Sequence, residues 1–305
     1  MSQWDYLHAR VIRTRVVTFT VAAAVMALTA SCVALPRRGE LGLRKDNTLT
    51  LPRGAQVKRD IAYGADSLEK MDLYIPAGAK NAPVIFMVHG GGWRRGDKAM
   101  PGVVNNKVEH WLPKGFIFIS ANYRLVPQVT PLQEAYDVSK AVAFAQKHAA
   151  SWGGDSDRFI LMGHSAGAHL VTLITAAPEI PNSEGVTPWL GTIPLDSAAF
   201  NVVKIMEGPH FSLYDTAFGT DKTLWREASP TLRLKTKPVP MLLVHSAARK
   251  MAAVDMQDFA DKVKSLGGKV TILPEELNHG EINADLGLDN DYTKKVDAFI
   301  RSLLK

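Results

Sequence analysis

The feature that most limits the fold is a series of short, unbroken apolar runs separated by stretches of helical periodicity. Residues 84–88 and 116–120 are continuous apolar runs, the pattern of strands buried on both faces of a sheet. Residues 71–75 read as an early edge strand, and 159–162, 192–195, 241–244 and 270–273 as further strands. Between them lie helical segments. Over 131–148, Leu132, Ala135, Val138, Val142 and Ala145 recur on one face. The others are 166–175, 254–266 (ended by Gly267-Gly268) and 292–304. Strands alternating with helices imply crossover connections, so the chain is predicted to form a mostly parallel sheet with helices on both faces, a three-layer α/β architecture. Residues 200–237 follow neither period and read as an irregular insertion suited to a lid or pocket wall.

At 305 residues the chain can build one large domain of this kind. Its formal charge of +6 hints at an acidic partner, but the distribution removes that hint. Residues 1–58 carry nine Lys/Arg against three Asp/Glu, which is the whole excess, and residues 59–305 are neutral. A nucleic-acid-binding domain concentrates positive charge on its folded body, so nucleic acid is not an expected partner. The single cysteine, Cys32, excludes an intrachain disulfide. No Cys/His cluster at zinc spacing, no His-Glu-x-x-His and no phosphate-cradling Gly-x-x-x-x-Gly-Lys-Ser/Thr occurs, so the sequence implies no metal and no cofactor.

Three arginines (Arg10, Arg13, Arg15) precede the apolar stretch 16–30, which ends in Ser31-Cys32. A basic start, an apolar run too short to span a bilayer and small residues after it are the signature of an export signal over 1–32. Leu28-Thr29-Ala30-Ser31-Cys32 resembles a bacterial lipoprotein cleavage box, although Thr29 stands where such boxes prefer Leu. The expectation is an exported protein, periplasmic or, if Cys32 is lipidated, anchored to a membrane through its N-terminus. Residues 33–58 read as a tether and 59–305 as the folded domain.

Two glycine-rich motifs carry the chemistry. Gly163-His164-Ser165-Ala166-Gly167 directly follows the strand 159–162 and directly precedes a helix. A nucleophile in a sharp strand-to-helix turn needs small neighbours, and the turn sets its hydroxyl at a helix N-terminus, where developing negative charge is favoured. Upstream, His89-Gly90-Gly91-Gly92-Trp93 follows the buried strand 84–88. An acyl-transfer transition state needs fixed N–H donors near the former carbonyl oxygen, and successive glycines let the backbone approach that closely. Gly91 and Gly92, together with Ala166, are the expected oxyanion donors.

With Gly96-Asp97-Lys98, Asn122-Tyr123-Arg124-Leu125 and Gly154-Asp155-Ser156-Asp157-Arg158, these motifs resemble the α/β-hydrolase superfamily. The resemblance is to its esterase branch of feruloyl and acetyl-xylan esterase-like proteins, carboxylesterases and kynurenine formamidases. It is dense over 84–170 and extends to about residue 300. It implies a serine hydrolase with Ser165 as nucleophile and small-molecule esters as substrates. Among the nine histidines, His279 alone follows the last strand and precedes the terminal helix, where a chain ordered Ser, acid, His carries its general base.

The acid breaks the pattern. The family places it a few residues beyond the strand 241–244, but here that stretch reads Ser246-Ala247-Ala248-Arg249-Lys250-Met251, with two cations and no carboxylate. Asp255 follows but looks like first-turn material of a helix. Asp196, at the end of the strand 192–195, is the other candidate; some hydrolases of this fold take their acid from that strand. Asp196 and Asp255 both stand as candidates on sequence alone. Three other readings differ from an esterase: an amide or formamide hydrolase, an exopeptidase, and a non-catalytic binding protein on the same fold. The displaced acid and the Arg249-Lys250 pair favour the last.

Overall fold

A computed structural model describes residues 48–305. The stretch read as an export signal, Cys32 and most of the stretch read as a tether lie outside the described residues. Eight strands run in chain order: β1 (Gln56–Ala62), β2 (Lys70–Ile75), β3 (Ala82–Val88), β4 (Ile117–Ala121), β5 (Gly154–His164), β6 (Gly191–Leu195), β7 (Met241–Ser246) and β8 (Val270–Glu275). They form one sheet in the order β1-β2-β4-β3-β5-β6-β7-β8. Only β2 runs against its neighbours; β3 to β8 are parallel. The parallel part needs crossovers, and helices supply them. These include α1 (Pro101–Trp111), α2 (Pro131–His148), α3 (Ala166–Ala176) and the short α4 (Glu179–Ser183). The short helices α5 (Val202–Glu207), α6 (Ser212–Phe218), α7 (Lys222–Glu227) and α8 (Pro230–Arg233) follow β6. The chain closes with α9 (Lys250–Ser265), α10 (His279–Ala284) and α11 (Asp291–Leu303).

Strand alternation divides the core into two layers. Val84, Phe86 and Val88 of β3 face the α2–α3 side with Ile117, Ile119, Phe159 and Leu161. Ile85 and Met87 face the opposite side, against Val104, Val108 and Trp111 of α1 and Tyr292, Val296 and Ile300 of α11. Met241 and Leu243 pack on Met256, Phe259 and Val263 of α9. Helices therefore cover both faces, and the sandwich has the three layers expected.

Two expectations are corrected. The sheet already begins at Gln56, inside the stretch read as tether, and the edge strand is β1, not 71–75, because Gln56–Lys58 pair with Ile75–Leu73. A strand reading QVKRDIA, mostly exposed, has no alternation to reveal it. Residues 200–237 are not irregular. They hold α5 to α8, each of only four to seven residues, too short to develop a helical period.

The C-terminal helix is tied to α1 through one carboxylate. Asp297 of α11 accepts hydrogen bonds from Trp111 Nε1 (3.0 Å), His110 Nε2 (3.0 Å) and Lys114 Nζ (2.5 Å). Burial pushes this carboxyl up, but the three donors outweigh it and hold the group down to about 2. Its folded value lies below the ordinary value near 3.9, so its contribution is fully present above about pH 4. That contribution is lost as pH falls from there toward about 2. Chemical denaturation at pH 7 should show Asp297→Asn less stable by about 2 kcal/mol. The gap between variant and wild type should close as the pH is lowered through that window.

Candidate active site

The six parallel strands end on one side of the sheet, and the polar side chains of the two motifs gather there, at the carboxyl edge where α/β sheets bind ligands. β5 runs to His164, and Ser165 turns into α3 at φ 56° and ψ −115°, a conformation few non-glycine residues adopt. The flanking glycines have a steric reason. A Cβ on Gly163 would lie 2.3 Å from Gly167 O, and one on Gly167 would lie 2.2 Å from Val88 O. The turn is held by a bond from Ser165 N–H to Leu195 O on the neighbouring strand (2.9 Å).

His279 is the first residue of α10. Asn278 caps that helix, accepting from the N–H groups of Gly280 (2.9 Å) and Glu281 (3.0 Å), while Glu281 accepts the Asn278 N–H (2.8 Å). Asn278 and Glu281 thus form a capping box that fixes the start of the helix. His279 Nε2 lies 3.0 Å from Ser165 Oγ, and Nδ1 lies 2.7 Å from Asp196 Oδ2. A deprotonated Nδ1 that close to a carboxylate would repel it, so Nδ1 carries the proton and Nε2 is free to accept from the serine.

Asp196 supplies the carboxylate at this histidine. It follows β6, stands at φ 55° and is fully buried. Its N–H donates to Val244 O (2.8 Å), and its Oδ1 accepts the Ser246 N–H (3.2 Å). Burial pushes the Asp196 carboxyl up, but the hydrogen bonds from His279 and Arg249 outweigh it and hold it below its ordinary value. Asp255, the alternative, serves elsewhere. Its carboxylate accepts the N–H groups of Phe200 (3.2 Å) and Asn201 (3.3 Å), tying the insertion to α9, and burial raises it to about 6.

The glycine loop packs against the same turn. A Cβ on Gly90 would lie 2.9 Å from Ser165 Cβ. Gly91 (φ 136°), Gly92 (φ 62°) and Trp93 (φ 61°) follow in left-handed backbone, which carries the loop past the serine. Ala166 is the first residue of α3, and its N–H has no intrahelical acceptor. The loop is braced from behind. His89 stacks on Tyr123 with ring centroids 4.5 Å apart, and the Tyr123 hydroxyl donates to His89 O (2.9 Å). Trp93 Nε1–H donates to His169 Nδ1 (3.1 Å), and His169 Nε2–H donates to Ala228 O (2.7 Å). Burial lowers His169 to about 4, so it stays neutral and can accept on one nitrogen while donating from the other.

Several contributors had no sequence signal. His164 Nε2–H donates to His279 O (2.8 Å), and burial, reinforced by His279, takes His164 down to about 3. It is a neutral donor gripping the backbone of His279. At the other end of α10, Asn106 Nδ2 donates to Ala284 O (2.6 Å) and Lys107 Nζ to Asn283 O (2.5 Å). From the insertion, Leu213 covers the loop, since a Cβ on Gly92 would lie 2.5 Å from Leu213 Cδ1. Tyr214 and Phe218 pack on Trp93 with centroids 6.0 and 4.9 Å away. Among the described residues no group of three His, Cys, Asp or Glu side chains could hold a metal ion.

A serine raised on the turn after the fifth strand of such a sheet, with a histidine from beyond the eighth, is the arrangement of the α/β-hydrolase fold. The BD-FAE family model matches residues 71–259, more than half of the chain, and the chain belongs to that family. Isoprenylcysteine alpha-carbonyl methylesterase of Arabidopsis thaliana is 28% identical over 254 residues, covering 77% of this chain and 58% of the relative. The chain thus spans little more than half the length of that curated relative. Among solved structures, esterase B from Lactobacillus rhamnosis superposes with a TM-score of 0.68 at 20% identity, over 84% of this chain and 87% of the other. Apo Thermogutta terrifontis esterase 2 does so with a TM-score of 0.66 at 24% identity, over 83% and 94%. At these identities the two structures establish the fold.

The two candidate acids separate experimentally. Asp196→Asn should lower kcat toward a model ester by about four orders of magnitude, the cost of losing the carboxylate that fixes the imidazole. Asp255→Asn, which touches only the insertion, should keep kcat within about tenfold of wild type. Steady-state kinetics of the two variants measures the difference.

Proposed function

We propose that the protein hydrolyses carboxylic esters through an acyl-enzyme on Ser165. The observation that carries this reading is the continuous run Ser165 Oγ, His279 Nε2, His279 Nδ1, Asp196 Oδ2, with contacts of 3.0 and 2.7 Å. The reaction follows from the geometry. His279 Nε2 takes the Ser165 proton as Oγ attacks the acyl carbon, and the imidazolium so formed faces the Asp196 carboxylate. N–H groups of Gly91, Gly92 and Ala166 receive the oxyanion. His279 then protonates the departing alcohol, and a water activated by the same nitrogen releases the acid.

The side chain of His279 is 40% exposed, so an ester can reach the serine–histidine pair from solvent while Asp196 stays buried beneath it. Burial of the acid alone keeps its bond to the histidine out of competition with water. The methylesterase named above supports an ester rather than an amide as substrate. The absence of an acid after β7 had favoured a non-catalytic reading, and Asp196 at the histidine removes that reason.

Turnover of p-nitrophenyl acetate by the purified protein tests the proposal against Ser165→Ala. Wild type should turn over with saturation, and the alanine variant should lose about five orders of magnitude in kcat. Equal turnover by both proteins would mean that Ser165 is not the nucleophile.

A further inference from the structure

Arg249 stands where the resemblance led one to expect an acid, and its half-buried side chain turns toward Asp196. Its Nη1 lies 2.8 Å from Asp196 Oδ2, 2.9 Å from the Asp196 main-chain oxygen and 2.9 Å from His279 Nδ1. The last contact is not a hydrogen bond in the working tautomer, because Nη1 and the protonated Nδ1 are both donors. The two nitrogens meet because both give a proton to the same oxygen of Asp196. One carboxylate oxygen is therefore shared between the general base and a permanent cation.

We propose that Arg249 is a positioning residue for the reaction, resting on the esterase reading above: it grips the carboxylate and the backbone of Asp196, aims Oδ2 at His279, and keeps that buried acid ionised. Asp196 needs such a grip for two reasons. Its left-handed backbone is one that a residue with a Cβ leaves readily unless held. Its carboxylate is fully buried, and a buried acid with one neutral imidazole partner tends to take up a proton. The other titratable groups facing Asp196 do not supply the charge. Burial holds His164 of β5 in its neutral form, and it does the same for Tyr214 of α6 and Tyr292 of α11. Ser165 and Ser246 carry none. An acid taken from β6 is thus paired with a cation from the loop after β7, and the two strands together replace the one carboxylate of the family pattern.

The test is a set of variants read by kcat, KM and the acid limb of kcat/KM. Arg249→Gln should lower kcat by about 10- to 100-fold, the worth of a hydrogen bond to a charged group, and leave KM within about twofold. Its acid limb should move to higher pH by about one unit, because without the cation 2.9 Å from Nδ1 the His279 imidazole takes up a second proton more easily as pH falls. Arg249→Lys should keep the wild-type limb. It also serves as the test if the glutamine variant does not fold, since a shifted limb with lysine would then contradict the proposal. Because Arg249 acts through Asp196, adding Arg249→Gln to Asp196→Asn should cost less than about twofold more. Wild-type kcat and limb in Arg249→Gln, a raised KM with kcat unchanged (a substrate contact), or the same loss in the Asp196→Asn background would each overturn it. Failure of the esterase reading shows separately, as turnover that survives Ser165→Ala.

Discussion

His279 can take a proton at Nε2 only while the proton on Nδ1 is held, and Oδ2 of Asp196 holds it from 2.7 Å away. Much of the local architecture serves that contact. Asp196 is fastened to β7 by its own N–H and by the Ser246 N–H, and His279 is fastened to β5 by His164. The helix that carries His279 is capped at its start by Asn278 and gripped at its end by Asn106 and Lys107 of α1. The partners come from segments more than 80 residues apart, since Asp196 and His279 are separated by 83 positions. Only the parallel sheet brings them together.

Two residues of the relay occupy backbone that residues with side chains avoid, at a cost of about 1–3 kcal/mol each. Ser165 and Asp196 both stand at φ near 55°, at the ends of adjacent strands. Each is held by a backbone bond to its neighbour: Ser165 N–H to Leu195 O, and Asp196 N–H to Val244 O. The sheet register thus absorbs the strain, and the side chains it projects reach the two nitrogens of His279. The buried histidines 164 and 169 follow the same logic. Desolvation keeps them neutral, so each serves as a fixed donor without adding charge near Ser165 and His279.

Features written in local chemistry were legible in the sequence. The strands β3 to β8 and the helices α2, α3, α9 and α11 show as continuous apolar runs or helical periods. Ser165 and the glycine loop show because steric closeness permits only glycine around them. What escaped had a physical reason to escape. β1 is charged on both faces, and α5 to α8 are too short for a period. The choice between Asp196 and Asp255 could not be made along the chain. It depends on which carboxylate the β6 and β7 ends bring to His279, and the sheet brings Asp196 while Asp255 pins the insertion. Arg249 was the most misleading residue, since a cation in place of an acid reads as a lost site until its partner on β6 is known.

The central claim is that Ser165, His279 and Asp196 act as one unit. The most direct measurement is the second-order rate at which a fluorophosphonate labels the intact protein, with the modified residue located by peptide mass spectrometry. Wild type should label once, on Ser165, and the rate should fall by at least about a hundredfold in both His279→Ala and Asp196→Asn. Labelling of Ser165 at the wild-type rate in Asp196→Asn, or stoichiometric labelling of another residue, would contradict the account.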